Sequence, residues 1–469
     1  MRRDSAPHVV VVGGGLAGIA AAFGILDAGF EVTLFDRRAH LGGATWSFER
    51  NGRSHDNGQH VYLRCCAAYL RLLERLGTAE KSPLQHHLEL PVLSPRPSGD
   101  PRVSLITRSS LPAPFHLARS MMSYGHLRIA DRLRLGLAIR ALLAADVSDP
   151  ELDSETFSSF LKRHGQSEAA ISRLWDLITL PTTNLRSDVV SAAIAVKVFK
   201  TGLLEQRDAA DIGWSRVPLQ KLHGDPALEL LRRDGARVEL RSKVDGLLVG
   251  RGDDAKRVVG VKVGGAEVAA DAVVLAVPHL QAIELAPSQA DLDVVALNAL
   301  GSSPILDVHL VYAAPVMQFK IAAALDSSVQ FVFDASESAG IEPGGGQCLA
   351  LSISGADEEI GERPEVLIRR YRSAVEELFP VARTTEMLDA VVSREHHATF
   401  RAVPGTAPLR PGPATGLSNL FLAGAWTDTG WPATMEGAVR SGNAAAWHVR
   451  RGLGERPGSL RREDEAALR

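Results

Sequence analysis

The sequence has little cysteine and little net charge, and each shortage excludes a class of protein. Only three of the 469 residues are cysteine, at Cys65, Cys66 and Cys348, and their spacing predicts neither a disulfide framework nor a metal cluster. Such cysteine usage suits a reducing cytoplasm. The 52 basic and 55 acidic residues leave a net charge of -3, which provides no general attraction for nucleic acid. We therefore expect a cytoplasmic protein with no metal centre and no nucleic-acid partner.

Long uncharged segments are also scarce, and the one near the N-terminus is interrupted by glycine. Residues 9–26 carry no charge and follow two arginines, a pattern that hydropathy alone would assign to a signal peptide or a membrane helix. Three glycines at the centre of this segment fit neither assignment. We expect no export signal, and a hydrophobic content of 45% is enough for the cores of two domains.

The N-terminal segment instead has the order of a nucleotide-binding turn. Four valines at residues 9–12 predict a buried strand, and three glycines follow at the spacing that dinucleotide-binding proteins use. Gly13 allows a tight turn, Gly15 lets the backbone approach a pyrophosphate, and Gly18 lets the next helix pack closely on the strand. We predict that this turn binds a nucleotide.

The elements after the turn support the same prediction. A helix is expected over residues 16–28, and the amides of Leu16 and Ala17 at its start would face phosphate. The next apolar run ends at Asp36, where a carboxylate can accept hydrogen bonds from a ribose diol. The strand, the turn, the helix and the acidic residue therefore all support a nucleotide-binding site.

Two further polar segments follow. After Arg37, the paired glycines Gly42 and Gly43 bring backbone close to a ligand, and the arginine can face phosphate. The segment Asp56-Asn57-Gly58-Gln59-His60 is the densest polar group in this region. It has either a cofactor-side or substrate-side role, or Asp56 merely caps the helix expected over residues 69–76.

The order of the predicted elements indicates an α/β protein, in which a Rossmann-like domain is interrupted by a mixed α+β substrate domain. A run of Pro, Ser and His at residues 82–102 marks the first boundary, and a strand over residues 236–244 marks a return to the first domain. The expected parts are the nucleotide-binding domain at 1–85, 214–280 and 415–455, the substrate domain at 86–213 (helical) and 281–414, and a tail at 456–469.

Residues 111–146 are predicted to be helical, with apolar side chains between five arginines. Such a surface can rest on anionic lipid at the inner face of a membrane. It is also typical of the solvent side of a packed helix, and both interpretations stay open.

The last predicted element is a strand, a glycine-rich loop and a helix of small residues over residues 419–442. We expect this element to form a second ligand cradle, far in sequence from the first. The residues assigned to it are Gly424, Trp426, Asp428, Thr434 and Met435.

Together, the N-terminal turn, the Gly42-Gly43 pair and residues 426–442 resemble the flavin amine oxidase and carotenoid desaturase superfamily over nearly the whole chain. The resemblance implies a glutathione-reductase-type domain that binds FAD, with the ADP half on the N-terminal turn and Asp36. It places Val244 near the adenine and residues 424–435 around the pyrophosphate and flavin. A polyisoprenoid substrate is also implied.

Two positions depart from the superfamily pattern. Many members have arginine where this chain has Ala44, and an acid where it has Ala425. Each change removes a polar contact to the cofactor, and a charged hydrogen bond contributes about 1.5 to 3 kcal/mol. Thr45, Thr427 and Asp428 are the residues able to compensate.

Within the superfamily, residues 56–60 and 214–220 resemble the hydroxysqualene dehydroxylases of hopanoid synthesis. In the chemistry that this implies, an acid protonates the allylic hydroxyl of hydroxysqualene, water leaves, and hydride from reduced flavin gives squalene. His60 and Asp56 are the candidate acids. Trp426 and Trp431 either stabilise the cation or pack in the core. An electron donor, which the sequence does not identify, must reduce the FAD.

Two other activities remain open. A carotenoid-type desaturase or an amine oxidase would transfer hydride into oxidised flavin, although residues 304–312 lack the lysine that such oxidases place there. A relative of the Rab-escort proteins would bind a prenyl chain without FAD, and Ala44 and Ala425 are what decay of a cofactor site would produce.

Overall fold

The structure, a computed structural model, describes residues 6–97, 99–251 and 256–454, so the predicted tail at 456–469 lies outside the described residues. The strands are β1 (His8–Val12), β2 (Glu31–Phe35), β3 (Ser47–Arg50), β4 (Arg53–Asp56), β5 (Val61–Leu63), β6 (Glu89–Ser94), β7 (Arg102–Thr107), β8 (Ile212–Trp214), β9 (Arg237–Glu239), β10 (Val244–Val249), β11 (Val258–Val263), β12 (Ala266–Ala269), β13 (Ala272–Leu275), β14 (Ser303–Tyr312), β15 (Ile321–Ala324), β16 (Phe331–Asp334), β17 (Gln347–Ser354), β18 (Met387–Thr399) and β19 (Leu420–Leu422). The helices are α1 (Leu16–Leu26), α2 (Ala67–Arg75), α3 (Ala118–Ser123), α4 (Ile129–Ala144), α5 (Pro150–Asp153), α6 (Phe157–Arg163), α7 (Glu168–Ala170), α8 (Asp176–Thr183), α9 (Ala192–Phe199), α10 (Asp225–Arg233), α11 (His279–Leu285), α12 (Val294–Ala299), α13 (Pro364–Leu378) and α14 (Met435–Gly452).

A parallel sheet with the strand order β19-β13-β1-β2-β9 holds the N-terminal turn. The valines of β1 are buried, as expected for a central strand with both faces covered. Helices α1 and α14 pack closely, because a Cβ at Gly442 would lie 2.1 Å from the carbonyl oxygen of Ala17. Small residues at this contact therefore bring together the first and last helices of the described residues.

A second sheet of seven strands has the order β18-β14-β17-β16-β15-β6-β7 and is antiparallel except between β15 and β6. Its strands β6 and β7 correct the prediction that residues 86–213 are helical. Strand β6 was missed because five of its six residues are buried, which removes the alternation of polar and apolar residues that identifies a strand.

Three other predicted elements end differently in the structure. The single strand expected over residues 236–244 is divided between β9 and β10, because Arg241 adopts a left-handed conformation with φ of 56°. The helical region at 111–146 is broken between α3 and α4. The helix that the sequence predicts over residues 152–180 is divided into several shorter helices, and Pro181 lies inside the last of them, α8, which ends at a left-handed Asn184.

Candidate functional site

The two glycine loops of the first domain are joined by backbone hydrogen bonds. The amide of Gly42 donates to the carbonyl of Gly14 over 2.8 Å, and Gly15 and Gly42 form a parallel bridge. Asp36 is buried beside them and accepts from the amides of Gly14 and Arg38, each over 2.7 Å. A carboxylate has about four acceptor positions, so Asp36 can still receive the ribose hydroxyls assigned to it.

The glycines of the turn are required for two different reasons. A Cβ at Gly18 would lie 1.8 Å from the carbonyl oxygen of Gly13, so only glycine lets α1 pack on the strand. A Cβ at Gly15 would meet only the Cα of Gly43, at 3.7 Å. The space beside Gly15 is therefore open on the protein side, as expected where a pyrophosphate approaches the backbone.

The second glycine loop is held from within the protein. Arg38 donates to the carbonyl of Gly43 over 2.5 Å, and the buried hydroxyl of Thr45 donates to the carbonyl of Gly42 over 2.8 Å. The hydroxyl of Thr45 is thus already bonded within the protein, and its part as a substitute for the missing side chain at Ala44 stays a prediction. Arg37 is exposed. Its phosphate contact stays a prediction.

The C-terminal cradle lies against the same strand ends as the first turn. The amide of Ala423 donates to the carbonyl of Leu275, and the indole of Trp426 donates to the carbonyl of Val277 over 2.9 Å. A Cβ at Gly424 would lie 2.4 Å from the indole nitrogen. The structure therefore accounts for the burial of Trp426 by core packing, and its contact with cofactor or substrate stays a prediction.

A buried arginine, which the sequence did not indicate, supports this loop. Arg410 donates to the carbonyls of Ala425, Trp426 and Thr427, and its guanidinium lies 4.7 Å from the ring centroid of Phe400. Burial lowers the pKa of Arg410 to about 10, so the side chain is still cationic near pH 7. The loop predicted to surround the flavin is thus held by hydrogen bonds from a cationic side chain.

The other cradle residues have distinct surroundings. Thr434 caps α14 by accepting from the amide of Gly437, and Met435 is the first residue of that helix. Asp428 is exposed. The guanidinium of Arg440 lies 4.8 Å from the ring centroid of Trp431. A ring that already faces a cation is less available to stabilise a substrate cation.

Val244 is placed next to the acid of the first motif. The amide of Ser242 donates to the carbonyl of Asp36 over 2.9 Å, and Val244 begins β10 with its side chain buried. These positions agree with the expected neighbourhood of an adenosine. With α1 lacking a side-chain cap and Gly15 open, the described residues fit a bound dinucleotide.

Asp56 does not cap the helix that follows it, which corrects one of its two sequence interpretations. It ends β4, and its Oδ1 accepts from the hydroxyl of Ser47 over 2.6 Å and from the amide of Leu219 over 3.0 Å. Burial raises the pKa of Asp56 to about 6, against the lowering effect of these bonds. The proton of the acid form would lie on Oδ2.

His60, the other candidate acid, lies within the same polar segment. Its Nδ1 is 2.7 Å from the carbonyl oxygen of Gly58, and burial lowers the pKa of the imidazole. His60 is therefore neutral near pH 7, with its proton on Nδ1. A neutral imidazole is the weaker acid, so Asp56 is the stronger candidate of the two.

A third acid, Asp307 on β14, joins this group and was not identified from the sequence. Its Oδ1 accepts from the amide of Gln59 over 3.0 Å, and burial raises its pKa to about 7. The sequence signal was an acidic residue within a strand of mostly apolar residues. Asp56 therefore begins the segment at residues 56–60, and a second buried acid, Asp307, lies against it.

The parallel sheet with its glycine turn defines a nucleotide-binding α/β oxidoreductase fold, and the family follows from comparison with known proteins. The chain belongs to the family described as flavin containing amine oxidoreductase, whose model matches residues 16–450. The predicted fold class and the predicted cofactor, FAD, are confirmed. The protein is an FAD-dependent oxidoreductase.

Two kinds of curated relative match at similar distance. A zeta-carotene desaturase from Arabidopsis thaliana is 27% identical over 94% of this chain and 85% of its own. A hydroxysqualene dehydroxylase from Sinorhizobium fredii is 28% identical over 94% of this chain and 97% of its own.

Solved structures show the same fold at lower identity. An oxidoreductase from Methanosarcina mazei superposes with a TM-score of 0.71 at 17% identity, covering 95% of this chain and 100% of its own. Putrescine oxidase bound to putrescine superposes with a TM-score of 0.67 at 19% identity, covering 95% and 99%. In the part of this chain that the structure describes, no helix combines the length and apolar character needed to span a bilayer.

Proposed function

We propose that the protein is a reductive dehydroxylase that converts hydroxysqualene to squalene in the biosynthesis of squalene and hopanoids. The observation that carries this proposal is the contact between residues 56–60 and 214–220, the two segments that resemble hydroxysqualene dehydroxylases. Asp56 accepts from the amide of Leu219, and Val61 pairs with Trp214. Segments far apart in sequence are thus in contact, and a hydroxysqualene dehydroxylase matches 94% of the chain.

This site lies beside the loop that we assign to the cofactor. The side-chain amide of Asn57 donates to the carbonyl of Ala44 over 3.4 Å, directly after the glycine pair. Ser393 on β18 holds Asn57 from the other side, through a bond of 2.8 Å to its carbonyl. The polar segment therefore joins the FAD-binding loop to the second sheet, where an apolar substrate is expected.

In the proposed reaction an acid protonates the hydroxyl oxygen, the allylic C–O bond breaks, and water leaves. Reduced FAD, when bound, supplies the hydride that completes the new C–H bond. We assign the departure of the hydroxyl to Asp56 and His60. Asp56 and Asn57 are both buried, and a dry site prevents water from recombining with the cation.

Desaturation is the second candidate, because zeta-carotene desaturases match the chain at 27% identity over 94% of its length. The two reactions move hydride in opposite directions. Reduced enzyme, prepared anaerobically by photoreduction and mixed with hydroxysqualene, is expected to form squalene while FAD is reoxidised in equal amount. Failure to form squalene, together with reduction of oxidised enzyme by zeta-carotene, would establish the desaturase instead.

We also propose that α3 and α4 rest on an anionic membrane, from which a long hydrocarbon must reach the site. Ile129, Leu133 and Leu137 lie along one face of α4, and each is more than half exposed. Their spacing of four residues makes a continuous apolar stripe. The exposed arginines beside this stripe are Arg119, Arg128, Arg134 and Arg140.

Flotation with anionic vesicles at low salt is expected to carry the protein upward, since each basic residue near the surface contributes about 1 kcal/mol. Leu133→Asp is expected to abolish flotation because it places a charge within the apolar stripe. Val295→Asp is the matched control, because Val295 is an exposed apolar residue of α12 outside the stripe. Equal flotation of the two variants would exclude α4 as the contact.

A further inference from the structure

We propose that the imidazoles of His55 and His309 and the thiolate of Cys348 bind a thiophilic divalent metal ion, for which Zn²⁺ has the matching ligand preference. The ligand atoms of the three side chains lie within 4.8 Å of one another. Donors around one zinc ion are about 3.3 to 3.6 Å apart at its usual bond lengths. Side-chain movements of about 1 Å therefore close the site.

The three donors come from separate parts of the chain. Strands β14 and β17 are antiparallel, with His309 opposite Ala350 and Val311 opposite Cys348. His309 and Cys348 are therefore diagonal neighbours on one face of the second sheet. His55 on β4 lies over that face, with its ring centroid 5.0 Å from that of His309. An ion here would fasten the β3–β4 hairpin to the second sheet.

Burying the polar atoms of these three side chains without partners costs free energy, which a bound metal ion would offset. His55 and His309 are each 2% exposed, and Cys348 is fully buried. Among the described residues, both ring nitrogens of His55 and Nδ1 of His309 have no hydrogen-bond partner. Buried polar atoms are normally paired, and an ion is one recognised reason for apparent exceptions. Nδ1 of His309 and one of the two ring nitrogens of His55 are thus free to coordinate the metal.

The surroundings of His309 select the ligating nitrogen. Its Nε2 lies 3.2 Å from the carbonyl oxygen of Asp56, so Nε2 carries the proton and donates to that oxygen. The lone pair is then on Nδ1, which has no hydrogen-bond partner among the described residues and is the nitrogen free to coordinate. Metal-bound histidines commonly have such a bond from the second ring nitrogen, because it fixes the tautomer and the ring orientation.

Binding of the metal ion releases one proton from the cluster. The S–H bond of Cys348 breaks, a sulfur–metal bond forms, and the proton passes to solvent. Two neutral imidazoles and one thiolate leave a divalent ion with one positive charge. The cysteine spacing predicted no metal centre because it could not show this combination with two histidines.

Cobalt binding tests the inference independently of the reaction. FAD-loaded protein, freed of metal with a chelator, is titrated with Co²⁺ and then with Zn²⁺. One equivalent of Co²⁺ is expected to produce a thiolate-to-cobalt absorption in the difference spectrum, and Zn²⁺ is expected to remove it. Cys348→Ser should lose the absorption, and His55→Gln should weaken binding at least tenfold. Cys65→Ser, a free cysteine elsewhere, should behave as wild type.

Flavin absorbance identifies the variants that fold, and the inference is decided on those variants. Absence of the cobalt absorption in wild-type protein that retains FAD would overturn it. Retention of that absorption in folded Cys348→Ser, or its loss in Cys65→Ser, would also overturn it, because the ion would then be bound at another thiol.

Discussion

Replacing Gly15 with Val is expected to yield a folded protein that does not hold FAD. The position is open on the protein side, where the Cα of Gly43 at 3.7 Å is the only neighbour within 4 Å of an added Cβ. A branched side chain therefore fits the fold and fills the space that the pyrophosphate needs. Flavin absorbance per chain measures the loss, and circular dichroism measures the fold.

Two further variants show whether this loss is specific. Gly361→Val is the matched control, because no atom lies within 4 Å of an added Cβ and the residue is far in sequence from both glycine loops. It should keep a full complement of FAD. Gly18→Val should lose FAD for another reason, since its Cβ would lie 1.8 Å from a backbone oxygen and the domain would not assemble. A folded Gly15→Val protein with full FAD would refute the placement of the ADP half.

Replacing Asp56 with Asn, or His60 with Phe, is expected to slow squalene formation by reduced enzyme about a hundredfold or more while FAD stays bound. The carboxamide of the Asp56→Asn variant would keep an acceptor for the hydroxyl of Ser47 and the amide of Leu219, but it could not hold the acidic proton. The His60→Phe variant would remove the imidazole from the polar segment. Single-turnover assays under anaerobic conditions measure the rate of the step.

The matched control for His60→Phe is His116→Phe, a change at a buried histidine outside the polar segment. It should leave the rate unchanged. Normal turnover by both Asp56→Asn and His60→Phe would place the proton donor elsewhere, with Asp307 as the next buried acid to replace. Oxidation of a polyene with reduction of FAD in wild type would reverse the proposed direction of hydride transfer.

The nucleotide-binding part of the site could be predicted from the sequence because its determinants are local. Gly13, Gly15 and Gly18 lie within one turn and one helix, and Asp36 follows at the end of the next strand. A local pattern of this kind fixes backbone shape before any long-range contact is known. The sequence likewise predicts a strand over residues 305–312 and a helix over residues 364–378 from local composition, and the structure has β14 and α13 there.

The remainder of the site depends on pairings that no local pattern contains. Asp307 reaches Gln59 only because β14 lies under the segment that follows β4. Cys348 meets His309 only through the register of β14 with β17. Arg410 lies in a loop, and its role depends on three carbonyls contributed by residues 425–427. The charge of Asp307 and Arg410 and the thiol of Cys348 are visible in the sequence, but the residues that they contact could not be predicted from it.

The strand order β19-β13-β1-β2-β9 also determines when the cofactor can be captured during protein synthesis. The glycine turn precedes β19 and α14 in the chain order, so it leaves the ribosome before them. Until α14 is made, the face of α1 around Ala17 lacks its cover, and the cradle at Gly424 does not exist. Contacts of such large sequence separation form late, because loop closure must be achieved before they stabilise the fold. We therefore expect FAD to bind only after β19 and α14 have been synthesised.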